Sequence, residues 1–164
     1  MLKTKSLVTN AVIAALYIAI SLVLEPLSFM SVQFRVPEMF NHLVIFSPRY
    51  FFGIVMGVFI TNLFSPLGVY DLFFGVGHSI ISLGLLILIR RSVKNVKALL
   101  VINTVIFTAT MAIIALELYL ALELPFWATY LTTALGEFGV MAIGAPVMYA
   151  LNKSLNFNKI IEQL

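Results

Sequence analysis

Cysteine is absent from the 164 residues. That excludes disulfides, thiolate metal sites and a thiol nucleophile, and it says nothing of redox compartment. Charge is scarce too: Asp, Glu, Lys and Arg together make 10% of the chain, while 62% is hydrophobic and mean hydropathy is +1.08. Runs this apolar aggregate in water and are stable in lipid, so the composition argues against a soluble fold. It predicts an all-α integral membrane protein with one membrane domain over residues 1–164. The net charge of +3 is small and divided between the two membrane faces, which points away from nucleic acid. No GxxxxGK[ST] phosphate loop occurs, so the chain is not expected to hydrolyse ATP, and there is no GxSxG elbow. Asp71 is the only aspartate, which rules out an intrachain aspartyl dyad and leaves an enzyme little support.

What is present is a series of apolar runs. The start, MLKTKSLVTNAVIAALYIAISLVLEP, has a basic tip followed by an apolar stretch, as a secretory signal does. The uncharged run Leu7 to Leu24, however, is 18 residues long and ends in Glu25-Pro26 rather than a small-x-small cleavage site, so it reads as a mature first span. Six helices are expected, at about 6–25, 37–46, 48–64, 71–90, 98–117 and 126–151. The second covers only about half of the ~30 Å hydrocarbon core, so it must be short, tilted or shielded by protein. Pro37 suits its first position, and Ser47-Pro48 supplies an N-cap and first-turn proline for the third.

Lysine and arginine are retained on the cytoplasmic side. Six crossings with both termini cytoplasmic place Lys3, Lys5, Arg49, Arg90, Arg91, Lys94, Lys97, Lys153 and Lys159 inside and only Arg35 outside. Five crossings with the N-terminus outside still put eight of the ten inside, so the rule favours six only slightly. In the six-span arrangement Glu25, Glu38, Asp71, Glu117 and Glu123 fall at or beyond the outer face, with Glu137 inside the sixth span and Glu162 in the cytoplasm.

Polar residues concentrate in SVQFRVPEMFNHL, where Arg35, Glu38, Asn41 and His42 fall within eight residues. On an α-helix Glu38 and His42, four apart, share one face beside Asn41. They form either a recognition surface for a polar solute or a segment whose polar groups satisfy each other, and the cost of polarity in lipid favours the former. Glu137 lies 11 residues beyond Phe126, about 16 Å along its helix. An acid there needs a partner such as Arg35 or His78, or serves a site. His78 follows Gly75 and Gly77 and reads equally as a ligand donor or an interhelical hydrogen bond. Glu38, His42, His78 and Asp71 could be drawn as a metal set, but no clustered ligand motif supports one, and no metal is expected. Ala11, Ala15 and Ala19 form an AxxxAxxxA stripe that permits close helix approach, as do Gly53 and Gly57. Trp127, Phe126, Tyr130, Tyr119 and Tyr70 read mainly as an interfacial belt, although one ring could stack on a flat ligand.

Three stretches, AALYIAISLVLEPLSFMSVQFRVPEMF, NLFSPLGVYDLFFG and LPFWATYLTTALGE, together resemble the QueT family. Its members are substrate-binding S components of energy-coupling factor (ECF) transporters, associated with uptake of queuosine precursors. The likeness covers nearly the whole chain, and VQFR-x-x-E is its most specific signature. It implies a six-helix S component in a prokaryotic plasma membrane that captures its solute on the outer side. Delivery would proceed through a transmembrane T component and two cytoplasmic ATPases that use the ATP, with no cofactor bound by this chain. It further implies docking on the T component through Ala11, Ala15 and Ala19 and a lid at about Pro26 to Val36. The implied pocket includes Arg35, Glu38, Asn62, Asp71, Trp127 and Glu137. A 7-deazaguanine base such as preQ1, preQ0 or queuine presents adjacent N–H donors to a carboxylate, Glu38 or Glu137, and a flat face to Trp127. Asn41, His42 and His78 depart from the family's pattern and add donors at the pocket edge. The alternatives are an S component for another vitamin or a metal ion, and a non-transporting scaffold subunit.

Overall fold

The structure is a computed structural model that describes residues 4–24 and 34–163. The expected lid, about Pro26 to Val36, lies mostly outside the described residues, as does Glu25. Among the described residues the fold is all-helical. Helix α1 covers Thr4–Val23; a 3-10 segment at Val36–His42 runs directly into a single α-turn, α2, at Leu43–Phe46. A 3-10 turn at Pro48–Tyr50 opens α3, Phe51–Asn62. Helices α4 at Val69–Ser92, α5 at Val96–Leu122, α6 at Phe126–Leu155 and α7 at Phe157–Gln163 complete the chain.

Four of these helices, α1, α4, α5 and α6, are long and apolar enough to cross a membrane, at 20, 24, 27 and 30 residues. They surround the second segment, whose composition could not carry it through lipid alone. Leu43, Val44 and Ile45 are 0%, 0% and 3% exposed, and Pro37, Glu38, Asn41 and His42 are also buried. Shielding by protein therefore accommodates its short length. Backbone that departs from the α-helix is tolerated at membrane depth where protein encloses it, and here it does. Proline punctuates the segment at both ends. Pro37 opens the 3-10 stretch, and Pro48 holds Ser47 extended at φ −150°, ψ 130°, ending α2. Ser47 occupies the expected cap position but makes no capping hydrogen bond through its side chain.

Small residues set the close approaches. A Cβ on Gly53 would fall 2.7 Å from both the backbone oxygen and Oδ1 of Asn10, and the Gly53 N–H donates to that Oδ1 at 2.8 Å. A Cβ on Gly57 would meet Tyr17 at 2.8 Å, so α1 and α3 touch backbone to backbone. Gly144 brings α6 onto the 3-10 segment, with Met39 Cβ 2.7 Å from where its own Cβ would be. Gly68, at φ +55°, makes the turn into α4 that other residues resist.

Two helix ends differ from the apolar runs. Asn95 caps α5 by accepting from the N–H groups of Lys97 and Ala98, and α5 continues to Leu122, where Glu123 turns left-handed at φ 57°. Asn156 ends α6 in the same way, at φ 54°. The polar tail then forms α7, whose Phe157 and Ile161 are buried; Tyr50 Oη donates to the Phe157 carbonyl at 2.8 Å.

Candidate substrate site and family

Four elements deliver polar side chains to one buried cluster. In a 3-10 helix residues three apart eclipse, so Glu38 meets Asn41 and not His42, contrary to the α-helical spacing expected from the sequence. Asn41 Nδ2 donates to Glu38 Oε2, and Tyr17 Oη, from α1, donates to Glu38 Oε1 at 2.6 Å. Both oxygens of this 2%-exposed carboxylate are thus held by protein.

Beside it, Arg35 precedes the segment and reaches Asp71 in the first turn of α4, Nη2 to Oδ1 at 3.4 Å. Ser65 Oγ donates to Asp71 Oδ2, and Asn62 Nδ2, at the end of α3, donates to the Asp71 carbonyl at 2.8 Å. The α3–α4 connection is therefore built around this one aspartate. Gly75 makes room for it, since a Cβ there would collide with Asn62 Nδ2 and approach Arg35 Nη1 at 3.7 Å. Arg35 also lies in electrostatic reach of Glu38 and Glu117.

Two acids remain. Glu117 of α5 is fully buried against the Asp71 carboxylate, and beyond that contact its oxygens have no hydrogen-bond partner among the described residues. Glu137 of α6 is 1% exposed, its Oε1 equally unpartnered among the described residues, and it feels the charges of Glu38 and Arg35. His78, 3% exposed, stands edge-on to Phe107 with centroids 5.4 Å apart, and its Nε2 has no partner among the described residues. Buried polar atoms are almost always paired, so free acceptors and a free imidazole nitrogen in one region mark a place where a ligand completes the bonding.

Not every expected residue joins the cluster. His42 is fully buried but committed: its Nε2 donates to the Met141 carbonyl at 3.0 Å, and Nδ1 accepts from Asn103 Nδ2 at 3.1 Å. The carbonyl cannot donate, so these partners define a neutral ring protonated at Nε2. The histidine ties the 3-10 segment to α5 and α6. Trp127 is 77% exposed at the start of α6, edge-on to Phe126, with Tyr130 stacked on Phe126. That exposure fits the expected interfacial belt and keeps the Trp127 ring out of the buried cluster. No group of three or more His, Asp or Glu among the described residues could hold a metal, so Glu38, His42, His78 and Asp71 are not brought together as ligands. Ala11, Ala15 and Ala19 are all exposed, and the first two line an apolar groove of about 400 Å³ between α1 and α3.

Tyr17, Ser65 and Glu117 were not among the expected site residues. Glu117 sits in ALELYLAL, which reads as the end of an apolar run. The leucines continuing to Leu122 are the signal that the helix runs on and carries Glu117 inward.

The model of the family described as QueT transporter matches residues 7–153. A curated relative, the queuosine precursor transporter QueT of Lactococcus lactis subsp. cremoris (strain MG1363), is 32% identical over 96% of this chain and 98% of its own length. No solved structure matches. With four helices fit to cross a bilayer and a buried polar cluster between them, the chain is a membrane transport protein rather than an enzyme, and it belongs to the QueT transporter family.

Proposed function

We propose that the protein is the substrate-binding S component of an ECF importer and takes up a queuosine precursor, a 7-deazaguanine base such as preQ1, preQ0 or queuine. The observation that carries this is the buried cluster itself. Glu38, Asp71, Glu117 and Glu137 gather around Arg35; Glu137 Oε1 lacks a partner among the described residues, and Glu117 has none there beyond its contact with Asp71. Such a set wants a ligand rich in N–H donors. A 7-deazaguanine supplies adjacent ring N–H and exocyclic NH₂ groups that one carboxylate accepts together, as well as a carbonyl for a cation. Since Tyr17 and Asn41 hold Glu38, the base pairs with Glu137 or Glu117, while Glu38 orients the wall. Arg35 faces its acceptors, Asp71 with Asn62 positions Arg35, and His78, whose ring is hydrogen-bonded to the Phe107 backbone, offers its free Nε2 as a further acceptor. Asn41 brings its free Oδ1, whereas His42 acts only through the fold.

In this reading α2, enclosed by protein, and α3, which presents one face outward, count with the four long helices to make six crossings, with both termini cytoplasmic and the acid cluster toward the outside. Positive charge on the opposite pole supports that orientation. The T component docks on the α1–α3 face at Ala11, Ala15 and Ala19, and two ATPases supply the energy; the exposed small-residue groove supports this. Calorimetric titration of the purified chain, without partners, with a 7-deazaguanine base tests the assignment. One saturable site is expected. Absence of binding across 7-deazapurines, with binding of a vitamin or a metal ion instead, would place the protein with a different cargo.

A further inference from the structure

A second polar site lies at the other pole of the bundle. Asp71 and Arg90 are separated by 19 residues of α4, about 28 Å along the helix, so this site is independent of the substrate cluster. It is a cavity of about 250 Å³ whose rim includes Arg90, Lys94, Asn152, Asn156 and Asn158 and whose floor is the apolar Ile45, Phe46, Val93 and Leu99.

The donors on this rim are prearranged. Arg90 Nε donates to the Ile45 carbonyl at 2.8 Å and Nη2 to the Phe46 carbonyl at 3.2 Å. This fixes the guanidinium against the end of α2 while leaving it further N–H donors. Asn152 Oδ1 accepts from the Phe157 N–H at 3.0 Å and Asn156 Oδ1 from the Lys159 N–H at 3.3 Å. Their amides are thereby oriented with the acceptor engaged and the NH₂ left to donate. Lys94 adds a second cation, reaching the Arg90 carbonyl at 3.4 Å. The first residue of the 27-residue α5, Val96, also lines the cavity and brings the positive end of that helix dipole. No carboxylate lines it; Glu162 of α7 is exposed and turned to Asn158 at 3.4 Å.

A fixed guanidinium, a second, exposed cation, oriented amide donors and a helix N-terminus over an apolar floor match a phosphate attached to an apolar body. We propose that this cavity binds a phosphoester group, with the headgroup of an anionic lipid and a soluble phosphate as the two possible sources. Basic pockets between membrane helices recognise anionic headgroups in this way. Lipid bound there would bridge α2, α4, α5 and α6 and lock the base of the bundle on which the second segment rests.

The test uses the full chain in detergent with phosphatidylglycerol, phosphatidylcholine or inorganic phosphate added, read by native mass spectrometry and by melting temperature. The wild type is expected to retain one phosphatidylglycerol in preference to phosphatidylcholine and to melt higher with it. Lys94→Glu, an exposed position that leaves the Arg90 contacts in place, should weaken that retention roughly tenfold or more. Arg90→Gln should do the same and also lower the melting temperature without lipid. Stabilisation by phosphatidylglycerol assigns the site to a headgroup, and stabilisation by inorganic phosphate alone assigns it to a soluble phosphoester. The proposal is overturned if neither probe acts, if phosphatidylcholine is retained equally, or if Lys94→Glu retains phosphatidylglycerol as the wild type does.

Discussion

Replacing Glu137 with glutamine keeps the side chain's volume and removes its charge. This residue is 1% exposed, and its Oε1 has no hydrogen-bond partner among the described residues. A buried unsatisfied acceptor costs about 1–3 kcal/mol, more when charged, so the substitution should leave the empty protein as stable as before or more so. Binding responds in the opposite sense. A carboxylate that accepts two adjacent N–H groups gives charge-assisted hydrogen bonds of about 1.5–3 kcal/mol each. Glutamine keeps one acceptor and turns an NH₂ toward the other donor. Losing one such bond raises Kd roughly 10- to 150-fold. Calorimetry gives the Kd, and a thermal melt of the same preparations gives the stability. The expected pattern is a weakened Kd with an unchanged or raised melting temperature. An unchanged Kd, or a fall in stability of the empty protein beyond about 1 kcal/mol, would refute the reasoning, because Glu137 would then be serving the fold.

Further predictions follow the same geometry. Glu38→Ala strands Tyr17 Oη and Asn41 Nδ2 in a buried site and should destabilise the empty protein by roughly 2–4 kcal/mol, lowering its melting temperature as well as its affinity. His42→Leu deprives the Met141 carbonyl and Asn103 of their partner, so it should cost roughly 1–3 kcal/mol of stability, read by thermal melt, while Kd for the base stays within about twofold. Trp127→Ala should leave the calorimetric Kd unchanged, since the ring is exposed; a tenfold loss would return it to the site. Gly53→Ala must push α1 from α3 against a rigid Asn10 backbone, costing about 1–3 kcal/mol in the melt.

The long helices were legible because each is an uninterrupted apolar run, and the physics of lipid permits little else. The second segment was legible only as an anomaly: its length was wrong for lipid, but the sequence does not reveal whether protein or tilt resolves that. Its 3-10 geometry changed the chemistry, joining Glu38 to Asn41 and sending His42 to α5 and α6, because a one-residue difference in period redirects a side chain. Arg35, Glu38, Asp71, His78 and Glu137 stood out as polarity in an apolar chain and Asn62 through the family resemblance, and the structure brings them into one region. Glu117 was placed at the outer boundary because a charged residue near the end of an apolar run looks like its end, and Tyr17 escaped notice because an aromatic inside a span looks like packing. Helix α7 was hidden in a polar tail, where Phe157 and Ile161, four apart, are the only apolar face it needs.

The most direct measurement of the central claim is a structure of the protein with a 7-deazaguanine base bound. The account predicts the base enclosed between α4, α5, α6 and the 3-10 segment, its N–H edge on the carboxylate of Glu137 or Glu117 and Arg35 on its acceptor side. A base bound elsewhere, with the Glu117 and Glu137 oxygens still unpartnered, would contradict it.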